Sequence, residues 1–197
     1  MKFEKKFRFD YEAHGISEEN GYIKWYDWKT VRKPVRIIGF AAIAAIFVLS
    51  RAFKEELNAY GKPTAVLAAL AALTVLLLVV IPLHEILHLL VMSKGKLDGN
   101  CIITYGQGAV SAVYTAELTR GCQLASLICP FIVFAVVFSA AALAASGAVR
   151  LFFVYLLMMS SLSSYTDILM FFYMLKKVGK GDTVFGPYKK PANLNKE

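Results

Sequence analysis

The chain has 197 residues, 57% of them hydrophobic and 18% charged, with a mean hydropathy of +0.54 and a formal net charge of +8. An ordinary soluble domain carries about 25% charged residues, and one of this size has too little interior to hide so much apolar surface. Collagen-like, coiled-coil and disordered classes fail on the same composition, which leaves a polytopic membrane protein.

Residues 1–34 read as a cytoplasmic segment rich in basic and aromatic side chains. Phe3, Phe7, Phe9 and Tyr11 fall among charges with a strand-like period. Tyr22, Trp25, Tyr26 and Trp28 precede the first apolar run and read as an interfacial anchor. That run begins only near Ile37, too late for a cleavable signal peptide. It extends over Val35 to Phe53 and is the first expected span. His14 reads as a solvated surface residue.

The second span is expected over Thr64 to Met92. At 1.5 Å per residue it is about 43 Å long, so it must tilt, bend or protrude. It carries His84-Glu85-Ile86-Leu87-His88, an H-E-x-x-H pattern. Residues four apart stack on one helix face, so both imidazoles can address one metal ion. Glu85 faces about 100° away, which suits a general base acting on a water rather than a ligand. Ionisable groups at mid-bilayer each cost on the order of 2.5–3.5 kcal/mol, so three within five positions call for a compensating role. Pro82 cannot donate to the carbonyl of Leu78 and predicts a kink beside the histidines.

Next, residues 101–105 and 109–115 flank Gly106-Gln107-Gly108 and predict a small cytoplasmic β-hairpin between the second and third helices. The third span is expected over Cys122 to Ser146 and the fourth over Leu151 to Leu175. Cys101, Cys122 and Cys129 form no tight pair and read as small buried hydrophobes. A catalytic zinc takes three protein ligands, so a third is needed at the depth of the histidines. Asp167 is the one acidic residue of the fourth span. It lies nine residues before Lys176, and His84 lies ten before Lys94, a difference of about 1.5 Å in height. Ser160, Ser163 and Ser164 precede Asp167 on its helix face and are candidates to orient its carboxylate, or simply to allow close packing. Tyr165 or Asn100 is a candidate to assist an oxyanion. The last 20 residues, 178–197, with Gly181, Gly186, Pro187 and Pro191, read as a mobile cytoplasmic tail.

The fold expected is therefore an all-α polytopic membrane protein of four transmembrane helices, with the membrane domain over 35–177. Eighteen of the 22 basic residues fall on the side of the N-terminal segment, the 93–121 loop and the C-terminal tail, with Arg36, Lys176 and Lys177 counted at the helix ends on that side, and four on the other side. The positive-inside rule places both termini in the cytoplasm and accounts for the basic balance without nucleic acid.

HEILH within the second span, a short β-rich loop, a third span with Cys129-Pro130-Phe131 and an aspartate in the next span resemble the putative zincin peptidase family of small bacterial membrane proteins. The chain is more distantly similar to the site-2 protease group of intramembrane metalloproteases. The resemblance implies that His84, His88 and Asp167 bind Zn²⁺ and that Glu85 is catalytic. The Tyr165-Thr166-Asp167-Ile168 context departs from the Asn-Pro or Leu-Asp-Gly setting typical of site-2 proteases. The expected activity is intramembrane, zinc-dependent hydrolysis of a membrane protein or peptide near the cytoplasmic face of the lipid bilayer. The alternative is a non-enzymatic membrane protein handling metal or protons, or an inactive protease-like scaffold.

Overall fold

The computed structural model describes residues 1–5, 10–27, 37, 61–106 and 109–192. The first expected span lies outside the described residues except for Ile37, as do Trp28, Phe7, Phe9 and the tip of the 101–115 hairpin at 107–108. The chain divides into two compact units. One comprises Met1–Arg32, His84–Cys129 and Asp167–Glu197, and the other Lys33–Leu83 and Pro130–Thr166.

Among the described residues two helices are long and apolar enough to cross a membrane, and a bent pair makes a third. The first spans Lys62–Met92 as α1 (Lys62–Val75), a π-helical turn (Leu76–Val80) and α2 (Ile81–Met92). The π turn ends just before Pro82, the residue that cannot donate and whose ring crowds the carbonyl four residues back. Widening that turn is a local way to accommodate such a residue. The second, α3, runs Arg120–Ala144 with Pro130 inside it. The third is α4 (Gly147–Ser163) and α5 (Tyr165–Lys177), bent by 41° at Ser164.

That bend corrects the reading of residues 151–175 as one continuous helix face. Its cause is the serine run. Ser163 Oγ and Ser164 Oγ both donate to the Ser160 carbonyl, at 2.8 and 3.0 Å, and Ser160 Oγ donates to Leu157 O. Hydroxyls that back-bond in this way compete with the backbone ladder and bend helices.

In the second unit α1 packs on α4. Ala68 and Ala72 are buried at i and i+4, and small side chains there let two backbones approach closely. The outer faces carry Leu67, Leu78, Val136 and Leu143, all more than half exposed. In water such a stripe is a liability, whereas in lipid it is a solvated surface. The chain is thus a mostly helical membrane protein.

Among the described residues the first unit holds seven short strands in two sheets, which corrects the all-α expectation. The first sheet has the order β1-β3-β4, with β1 (Lys2–Lys5) parallel to β3 (Cys101–Gly106) and β4 (Ala109–Tyr114) antiparallel to β3. The second has the order β2-β7-β6-β5, all antiparallel, from Ile23–Lys24, Tyr188–Lys190, Thr183–Phe185 and Leu118–Thr119. Residues 183–190, expected in a mobile tail, are therefore sheet. Gly186, at φ 51°, and Pro187 are the turn between β6 and β7.

The reading of Trp25 and Tyr22 as interfacial anchors is also corrected. Trp25 and Tyr22 are 6% and 7% exposed and are core residues of this unit rather than anchors. Trp25 packs on Met174, Val178 and Val184, and its indole N–H reaches Gly186 O at 2.9 Å. A buried indole needs such a partner.

Asp182 pins the second sheet to the end of α5. Its carboxylate accepts from Gly179 N at 2.8 Å and Ala192 N at 3.3 Å and lies 3.4 Å from Lys189 Nζ. Burial opposes its charge, but the two backbone donors and the ammonium outweigh it and hold the carboxyl below its ordinary 3.8. A depressed native pKa means that this stabilisation is present above the unfolded value and is lost as pH falls through the native one. Asp182→Asn is expected to cost on the order of 1–3 kcal/mol at pH 7. The difference should shrink below about pH 4. Unfolding in detergent followed by tryptophan fluorescence at both pH values measures it.

Candidate metal centre

The HEILH segment lies in α2, where it divides between two faces. Leu89 and Ile86 pack under the first sheet, against Cys101, Ile103, Val110, Ala112 and Tyr114. The strand register, Cys101↔Tyr114 and Ile103↔Ala112, puts these residues on one side of the sheet. Leu89 is fully buried there. Glu85, one turn before Leu89, is turned to the same sheet by this contact.

Its carboxylate Oε2 accepts the backbone N–H of Ala112 at 2.6 Å. β4 is the edge strand, so that N–H points away from β3. The backbone groups of Val110 and Tyr114, two residues to either side, have the same direction. A cavity of about 270 Å³ runs beside this edge, lined by Ala112, Tyr114, Tyr11, Trp25, Tyr26 and Met170.

His84 and His88 lie on the other face of α2, both 6% exposed, with ring centroids 4.8 Å apart. They meet Asp167 of α5. His84 Nε2 is 2.9 Å and His88 Nε2 3.5 Å from the same oxygen, Asp167 Oδ2. Three of the residues singled out in the sequence thus converge on one point. A donor atom of Glu85 also lies within 4.8 Å of donors on the two histidines.

The back of His88 is held by a residue that the sequence did not single out. His88 Nδ1 is 2.9 Å from the backbone carbonyl of Ser126 in α3 and 3.3 Å from its hydroxyl. The Ser126 hydroxyl itself donates to His88 O at 3.5 Å. A carbonyl can only accept, so Nδ1 carries the proton and a neutral His88 presents a bare Nε2 lone pair to Asp167. A metal-binding histidine is commonly held in this way by a hydrogen bond from its other ring nitrogen.

The donor set fits zinc. A lone pair facing a carboxylate oxygen at 3.5 Å is repulsive unless a cation or a proton lies between them. Two imidazole nitrogens and a carboxylate oxygen are zinc's usual catalytic ligands. Donors about 2.0–2.2 Å from a tetrahedral ion are about 3.3–3.6 Å apart, so His88 and Asp167 already have the spacing and His84 needs a small outward shift.

The other predicted residues are placed elsewhere. The hydroxyls of Ser160, Ser163 and Ser164 are engaged on their own helix. Tyr165 opens α5. Asn100 is tied into a turn, its N–H donating to Asp98 Oδ1 and its carbonyl accepting from Thr115. The three cysteines are free thiols. Burial raises the Cys101 thiol, the expected behaviour of an unreactive buried cysteine.

Apolar spanning helices and an HExxH turn joined to a distant aspartate define a membrane protein with a zincin-type centre. Residues 77–180 match the family described as putative zincin peptidase, and the chain belongs to that family. That description implies a zinc-dependent metallopeptidase. No curated protein and no solved structure matches the chain.

Proposed function

We propose that this chain is an intramembrane zinc metallopeptidase, with His84, His88 and Asp167 as the metal ligands and Glu85 as the general base. The observation that carries the reading is the approach of His84 Nε2 and His88 Nε2 to one oxygen of Asp167, with His88 locked in the tautomer that a ligand requires. Zinc held there supplies a Lewis acid that polarises a peptide carbonyl and makes water a nucleophile near neutral pH.

The remaining work falls to the chain's own groups. Glu85 is the one carboxylate of the cluster anchored from outside it, by Ala112 N–H, which favours a base over a fourth ligand. It takes the proton of an attacking water and returns it to the leaving amine. The outward edge of β4 suits an extended peptide, because strand addition holds a backbone whatever its side chains. The cavity beside that edge gives such a peptide room next to the Ala112 to which Glu85 is bound. The substrate is accordingly a membrane protein or peptide locally unwound near the bilayer surface.

The same reading keeps four spans, with both termini and the 93–121 loop in the cytoplasm. The pairings β1 with β3, β2 with β7 and β5 with β6 support it, since they join the N-terminal, loop and C-terminal segments into shared sheets. Segments paired in one sheet lie on one side of a membrane, and these carry most of the basic residues. No nucleic acid is required.

The test is purification in detergent, zinc determination by mass spectrometry and incubation with membrane-spanning peptides. One zinc per chain is expected, with cleavage abolished by a chelator and restored by zinc. Stoichiometric zinc with no cleavage of any spanning peptide would favour a metal-handling role instead.

A further inference from the structure

Pro130 lies four residues after Ser126 in α3, and in an α-helix the N–H of residue i bonds the carbonyl of residue i−4. Proline has no N–H, and its ring pushes that carbonyl off the helix ladder. The carbonyl left without its helical donor is that of Ser126, the one that accepts His88 Nδ1–H at 2.9 Å. A proline inside a membrane helix is ordinarily tolerated because some other group satisfies the freed carbonyl. Here the satisfying group is an imidazole whose opposite nitrogen points at Asp167.

We propose that Pro130 is a positioning residue for the metal centre: by withholding a backbone proton from Ser126 O, it fixes His88 as the Nδ1–H tautomer with Nε2 open toward Asp167. The proposal assigns α3 a place in the centre without a side-chain ligand. Its effect on metal affinity rests on the metallopeptidase reading, whereas its effect on the tautomer does not.

The two are separated by measuring both. Histidine side-chain ¹⁵N spectra of the metal-free protein in detergent micelles report the tautomer, and the chain has only three histidines to assign. Cobalt titration in competition with a chelator reports affinity. Pro130→Ala restores the N–H, so His88 should lose its pure Nδ1–H signature and cobalt affinity should fall about 10–100-fold, the usual range for a partner of a metal ligand. Lactic acid incorporated at 130 in cell-free synthesis has alanine's methyl but an ester oxygen in place of the N–H. It should keep both the wild-type tautomer and the wild-type affinity.

A kink or packing role for the ring would make both replacements lose affinity alike, which overturns the proposal. An unchanged His88 tautomer in Pro130→Ala overturns it too. A tautomer that shifts in a protein whose wild type binds no metal upholds the control of His88 by Pro130 and overturns both its place in a metal centre and the metallopeptidase reading.

Discussion

Glu85→Gln is expected to retain the full zinc content of the wild type and to lower peptide hydrolysis by about 10²–10⁴-fold, the range attributed to a positioned acid–base group. Glutamine has nearly the volume of glutamate, and its amide oxygen can still accept the Ala112 N–H that Glu85 accepts at 2.6 Å. The strand contact and the packing of Leu89 beneath the sheet should therefore survive. What disappears is the ability to take a proton. Zinc content and cleavage of a spanning peptide are measured on the same preparation, because the two readouts separate the roles open to this residue. Wild-type cleavage would remove Glu85 as the base. Loss of zinc would make it a ligand, a role for which its distance of no more than 4.8 Å from the histidine donors leaves room.

Much of this centre is legible in the sequence because lipid makes polar residues expensive. His84, Glu85 and His88 stand out on a helix that is otherwise apolar, and Asp167 is found by counting rise from the basic helix ends. The structure places its carboxylate oxygen 2.9 Å from His84 Nε2. Ser126 escaped notice because it acts through its backbone carbonyl, which no side-chain pattern marks. A signal was present nonetheless, since Pro130 four residues later identifies the carbonyl that the helix leaves without a donor.

The spanning helices Lys62–Met92 and Arg120–Ala144 fall within about two residues of the apolar runs that predict them, because hydropathy decides membrane helices with little help from context. The hairpin strands 101–106 and 109–114 are legible for a related reason, as two β-rich runs with glycine between them. The second sheet is not. Its strands are two or three residues long, too short for alternation, and Ile23 pairs with Lys189 from the far end of the chain. Gly186 and Pro187 signal a turn equally well in a tail or a hairpin, and only the distant partners decide between them. Burial of Trp25 and Tyr22 follows from the same pairing. Without it an aromatic cluster before an apolar run has the pattern of a membrane anchor.

Asp167→Asn should have the larger effect on the metal itself. Asparagine is nearly isosteric but neutral, and its amide is a weak zinc donor, so the centre keeps two imidazoles where a catalytic zinc takes three protein ligands. Zinc affinity is expected to fall by more than about 100-fold, beyond the range for residues that merely support a ligand. Competition with a chromophoric chelator measures it. Melting with and without zinc then distinguishes a ligand from an ion-pair partner. A ligand that binds only the folded state raises stability by RT ln(1 + [L]/Kd), about 2.7 kcal/mol at a hundredfold excess over Kd. The wild type should therefore melt higher with zinc, and Asp167→Asn should show almost none of that increment at the same zinc concentration. Were Asp167 only a partner for His84 at 2.9 Å, the variant would melt lower by a similar amount in both conditions and keep the zinc increment. The increment, rather than the melting temperature, thus reports whether the aspartate on α5 and the histidines on α2 hold one ion.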